Sequence, residues 1–169
     1  MFVQAVESDI LSLVELVQSV YRGTSSLKGW TSEALFLGGQ RIDADMILQI
    51  LMKKNSFIFI YRNEKKLKSC VHLEKMEKKA HLGMLSVATE LQGQNMGQKM
   101  ISFCESFART EWQSQALQIE VLHPRLELIS WYERRGFQKT GNTTPFPNNP
   151  RFGVPKIENL HFIEMIKSL

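Results

Sequence analysis

The residues best suited to chemistry lie in a polar turn, Gln92-Gly93-Gln94-Asn95-Met96-Gly97. A nearly all-apolar stretch from His81 to Val87 precedes the turn, and an amphipathic stretch running to Arg109 follows it. Two glycines and an asparagine at a strand-to-helix junction leave several backbone N–H groups uncovered by side chains. Those groups face the positive end of a helix, which favours an anion and above all a phosphate. No other cluster competes on residue type. Cys70 and Cys104, the two cysteines, sit in apolar-periodic segments and show neither a zinc spacing nor a disulfide framework. His72, His123 and His161 are too scattered for a metal site, and none is assigned.

The elements that must position this turn can be read in order. Phe2 to Val6 predicts a short strand, and Ser8 a cap for a helix whose apolar face carries Ile10, Leu11, Val14, Leu16, Val17 and Val20. Tyr21 to Thr31 breaks that pattern with glycine, serine and threonine, and Thr31 is expected to cap a short helix. A second helix is predicted from Ala44 to Lys53. Ser56–Tyr61, Leu67–Met76 and Ala80–Val87, joined by short polar turns, predict an antiparallel meander. Met96, Met100, Phe103, Cys104 and Phe107 recur at helical spacing after the turn. Leu117, Ile119 and Val121 then alternate as a strand, so a right-handed crossover and a parallel pair are expected. A further helix opens at Pro124 and Arg125 and stops at Gly136. Phe137–Lys139 starts the next strand, Thr143–Pro155 is expected to be an irregular proline-rich loop, and His161–Ile166 is the last strand.

At 169 residues, 43% hydrophobic and 22% charged, the chain suits one α/β domain spanning 1–169 with a mixed central sheet flanked by helices. The formal charge of +4 is modest, and the lysines fall in short groups such as Lys65, Lys66 and Lys68. That is a solvated face, not a nucleic-acid stripe with interleaved aromatics. The first residues lack the pattern of a secretory leader, and no apolar run reaches the roughly 18 residues of a membrane span. A cytoplasmic protein is expected, monomeric or homodimeric, with neither nucleic acid nor membrane as partner.

Element order and two motifs resemble the GNAT superfamily of acetyl-CoA-dependent N-acetyltransferases. The family's pyrophosphate loop, Gln or Arg, two residues, Gly, one residue, Gly or Ala, is matched by Gln92 to Gly97, five residues beyond Val87. Its aromatic pair before Gly-Phe is matched by Trp131-Tyr132-Glu133-Arg134-Arg135-Gly136-Phe137. Three positions depart from the commonest pattern: Asn95 for the middle glycine, Thr89 for a frequent proline, and Arg125 for a common asparagine. Asparagine tolerates the left-handed conformation best among non-glycine residues, so the turn is expected to survive. A dinucleotide fingerprint fits poorly, because it belongs to a first βαβ unit and this turn follows a meander.

The resemblance implies an acetyltransferase that uses acetyl-CoA as cosubstrate, acts by direct attack of a primary amine, and needs no metal. It places the coenzyme against Leu85, Ser86 and Val87 along the strand edge, against Gln92, Gly93, Gln94, Asn95, Met96, Gly97 and Gln98 at the turn, and near Tyr132. Tyr132 is the implied general acid, since a phenol of pKa near 10 can donate to a thiolate of similar basicity. For the base, His81 and Glu120 compete, with Glu74 and Glu33 as outsiders and a water chain as a substitute for any of them. The acceptor pocket is expected around Trp30, Thr31 and Glu33, with Phe146 and Arg151 from the proline-rich loop. The alternative class is a coenzyme-binding sensor or interaction module without catalysis.

Overall fold

The computed structural model describes residues 1–169, apart from the side chain of Ser25. β1 is Val3–Gln4, followed by one 3-10 turn at Glu7–Asp9. α1, Ile10–Tyr21, buries Leu13, Leu16, Val17, Val20 and Tyr21. Its entry differs from the expectation for Ser8. The Asp9 carboxylate accepts from the Val6 N–H at 3.0 Å and also pairs with Arg62, which a serine hydroxyl could not do. Gly23–Ser26 forms a single helical turn, α2. Thr31 starts no helix: the chain turns there instead, with the Glu33 carbonyl accepting from the Phe36 and Leu37 N–H groups. β2, Leu37–Gly38, precedes α3, Ala44–Met52, which Asp43 caps by accepting from the Met46 N–H at 2.8 Å.

β3 (Ser56–Asn63), β4 (Lys66–Lys75) and β5 (Lys79–Val87) form the expected meander. α4 (Met96–Trp112) crosses to β6 (Ala116–Leu122), which lies parallel to β5. α5 is Leu126–Glu133, and the chain leaves it through Gly136 at φ 89°. β7 (Gln138–Pro145), β8 (Val154–Pro155) and β9 (His161–Ser168) complete the chain. The main sheet has the order β1-β3-β4-β5-β6-β9-β7, with β9 inserted antiparallel between β6 and β7. Residues 143–145, expected in a loop, therefore belong to an edge strand, where a proline at the end costs no central ladder bond. The rest of that loop is tied to the first one by a two-stranded ribbon of β2 and β8.

Helices cover both faces of the sheet. Met100, Ile101, Cys104 and Ala108 of α4 pack with Leu73, Leu82, Leu117 and Ile119, while α1 and α3 cover Ile58, Ile60, Cys70 and Met84. Each fully buried large aliphatic side chain contributes about 1.5–3 kcal/mol relative to exposure. The sheet is interrupted between β5 and β6. β5 and β6 pair only at Lys79↔Ala116, Ala80↔Leu117 and His81↔Gln118, and the β4–β5 register slips between Cys70 and His72. Met84, opposite that slip, sits at φ 53°. A bulge of this kind bends its strand, so β5 leaves β6 after His81 and a wedge opens between them. A large side chain at positive φ costs about 1–2 kcal/mol. The next residue is clamped from outside the sheet: the Tyr21 hydroxyl donates to the Leu85 carbonyl at 2.6 Å.

Candidate active site

At the mouth of the wedge, the turn before α4 carries Gly93 at φ 78° and Asn95 at φ 60°, ψ 12°. The Gln92 and Gln94 N–H groups are engaged inside the turn, donating to the Thr89 and Leu91 carbonyls at 3.2 and 3.4 Å. The first intrahelical bond is from the Lys99 N–H to the Asn95 carbonyl at 3.0 Å, so Met96, Gly97 and Gln98 present helix N-terminal N–H groups with no carbonyl one turn back. The Gln92 side chain has a different task. Its amide accepts from the Trp30 N–H at 3.3 Å and donates to the Val87 carbonyl at 3.0 Å and the Thr31 hydroxyl at 3.3 Å. The first loop is thereby fastened to the end of β5. Gly29 permits this approach, since a Cβ there would come within 2.8 Å of the Thr89 methyl and 2.9 Å of Gln92 Oε1.

Behind the turn is a cleft of about 650 Å³, lined among others by Leu85, Val87, Gly97, Trp131 and Tyr132. Arg134 and Arg135 also line it, and the Arg135 guanidinium lies 3.6 Å over the Trp131 ring. Trp30 and Thr31, expected at an acceptor pocket, stand along this cleft, with Trp30 5.9 Å from Trp131. Tyr132 is buried at the inner end. Burial, with Tyr21 nearby, pushes its phenol pKa up, while Arg125 and Arg135 pull it back.

A second, narrow cavity of about 60 Å³ lies beyond Tyr132, lined by Glu33, Arg41, Gly83, Glu120 and Phe162 among others. Tyr21, Leu85, Arg125, Leu128 and Tyr132 line both cavities. Glu33 is not an open acceptor-binding carboxylate. It is buried and shared by three guanidiniums: Arg22 at 3.0 Å, Arg125 at 3.4 Å and Arg41 at 3.8 Å. Arg22 is satisfied further by the Gln40 carbonyl at 2.9 Å, and its burial pulls its pKa down. Glu120 Oε1 accepts from the Thr144 hydroxyl at 3.2 Å. His81 lies at the closed end of the wedge, and burial pushes its pKa down against the charges of Glu120 and Glu74. Phe146 packs on Phe162 with centroids 5.7 Å apart, and Arg151 is paired with Asp43 at 2.7 and 2.9 Å; neither lines the cleft or the small cavity.

The family model described as Acetyltransferase (GNAT) domain matches residues 31–148. This chain belongs to the GNAT acetyltransferase family. No curated protein sequence matches it. Its fold is similar to that of an N-acetyltransferase from Staphylococcus aureus Mu50, with 16% identity over 99% of this chain and 96% of that one and a TM-score of 0.72. It is likewise similar to the ribosomal-protein-S18-alanine N-acetyltransferase from Escherichia coli, at 13% identity, 99% and 92% coverage and a TM-score of 0.72. A GNAT family acetyltransferase from Elizabethkingia anophelis, described with acetyl-CoA bound, matches at 15% identity, 74% and 82% coverage and a TM-score of 0.58.

The GNAT chain's own residues fit an acetyl-CoA donor. The helix N-terminus and two left-handed residues suit a pyrophosphate, Arg134 and Arg135 add positive charge at the cleft, and the unpaired length of β5 offers a main-chain edge. Sequence reasoning missed Tyr21, Arg22 and Arg41. Tyr21 ends an apolar helix face and reads as packing, and the two arginines sit in polar loops that read as solvated.

Proposed function

We propose that this chain transfers the acetyl group of acetyl-CoA to a primary amine by direct attack, with Tyr132 as general acid. The observation that carries the reading is that Tyr132 lines both the large cleft and the small cavity. A residue at that junction meets the donor from one side and the acceptor from the other.

Acetyl-CoA supplies an activated acyl carbon and a thiolate leaving group. The N–H groups of Gly93, Asn95, Met96, Gly97 and Gln98 hold the pyrophosphate, and the Leu85–Val87 edge of β5 holds the pantetheine arm. A main-chain N–H there polarises the thioester carbonyl. Glu120 takes the proton from the acceptor nitrogen as the nitrogen–carbon bond forms. Tyr132 gives its proton to the sulfur as the carbon–sulfur bond breaks and the electron pair leaves on sulfur. Glu120 is chosen over His81 because it lines the small cavity, whereas His81 sits where β5 and β6 are still paired. The excess of guanidiniums around Glu33 also disfavours the ammonium form of the acceptor.

A pH–rate profile tests the assignment. Glu120→Gln should lower kcat/KM by 10²- to 10³-fold, of the order expected for general base catalysis, and should remove the acidic limb. His81→Ala should keep that limb. The reverse pattern would transfer the role to His81.

A further inference from the structure

Resting on the acetyl-transfer reading, we infer that the acceptor is an amine carrying a carboxylate, a free amino acid in class, and that Arg125 and Arg41 bind that carboxylate. The argument begins with charge. Arginine stays protonated in proteins, and Glu33 is one carboxylate shared among Arg22, Arg41 and Arg125. Arg22 has main-chain carbonyls for its remaining donors, from Gly38 at 3.4 Å, Gln40 at 2.9 Å and Phe152 at 3.4 Å. The uncompensated charge therefore falls on the other two.

Arg125 makes the need specific. Its side chain is 6% exposed, Nη1 donates to Glu33, and Nη2 is buried with no hydrogen-bond partner among the described residues. A buried charged donor without an acceptor is costly unless a ligand fills the gap. Arg125 and Arg41 lie 5.8 and 5.5 Å from the centroid of the same Tyr21 ring, and both line the small cavity. A planar carboxylate is the group a guanidinium pair receives best. Glu120 lines the same cavity and is left for the amine. A cavity of about 60 Å³ suits a small acceptor such as a free amino acid. A polyamine would leave Arg125 Nη2 unanswered and add positive charge to a site already in excess.

The test uses matched ligands: the α-amino acids, β-alanine and γ-aminobutyrate, each against its carboxamide. Binding to the whole protein in the presence of coenzyme A is followed by calorimetry, and thiol release from acetyl-CoA by turnover. For at least one pair the carboxylate should bind at least tenfold more tightly than the carboxamide, and Arg41→Gln should reduce that preference below threefold while the affinity for coenzyme A moves less than twofold. Arg125→Lys should do the same, and Arg41→Gln decides if Arg125→Lys does not fold. A preference in binding without thiol release would uphold the carboxylate site and remove the transfer reading. Turnover with equal use of acid and amide, or no binding of any acid, would overturn the inference. An Arg125→Lys effect confined to coenzyme A affinity would overturn it too, by assigning Nη2 to the donor.

Discussion

Burial holds the Tyr132 proton in place at neutral pH, with Arg125 and Arg135 opposing the upward shift. That burial makes the phenol a weaker acid than a free tyrosine, so in the proposed reaction the pull of Arg125 and Arg135 is what keeps its proton available to a departing thiolate. Asn95 contributes at the other end of the cleft by its backbone alone. At φ 60° it adopts a conformation that asparagine and glycine accept and that costs other residues about 1–2 kcal/mol. Asn95→Gly should leave the coenzyme dissociation constant within twofold, whereas Asn95→Val should raise it about tenfold, as read by calorimetry. This position was legible in the sequence, because the turn needed a left-handed residue and asparagine is the best substitute for glycine. Glu33 was not. Its partners Arg22, Arg41 and Arg125 come from three segments, one of them 92 residues away, so an acid in a polar loop read as an open binding group.

Among the elements, β4 and β5 carry a half-buried pair, His72 and His81, on the face that α1 and α3 cover. The His72 ring meets the Ser56 hydroxyl at 2.8 Å. Burial, with His81 beside it and Lys53 adding to the effect, pushes the His72 pKa down to about 4, and Glu74 opposes this. The fold thus prefers the neutral ring. Above pH 6.5 nothing is lost, and between 6.5 and 4 the unfolded chain binds a proton that the folded chain refuses, so stability falls with pH across that window. Melting temperature should drop from pH 7 to pH 4.5, and His72→Gln should flatten that slope; an unchanged slope would remove His72 as its cause. The meander, α4 and the parallel pair were legible from alternation and period. The break between β5 and β6 was not, since Met84 gives no local sign of a positive φ. The β2–β8 ribbon and the insertion of β9 are likewise long-range pairings that no local pattern marks.

At the scale of the whole molecule, the sheet acts as a frame that is closed at one end and open at the other. α4 and α5 cover one face, α1 and α3 the other, and the opening between β5 and β6 joins the two cavities. The two free cysteines lie inside this packing. Burial pushes Cys70 up to about 12 and Cys104 higher still, so neither thiol is nucleophilic. In the native protein neither should react with a maleimide within an hour at pH 7, and both should react in denaturant. Labelling of the native protein would show that the core opens. The same inertness lets thiol release report coenzyme A alone, which serves the decisive measurement. In that assay the wild-type chain should release coenzyme A from acetyl-CoA only when an amine is added, with the acetylated amine seen by mass spectrometry. Tyr132→Phe should cut that amine-dependent rate at least tenfold while its affinity for coenzyme A stays within twofold. An unchanged rate in Tyr132→Phe, or no amine-dependent release by the wild type, would contradict the account.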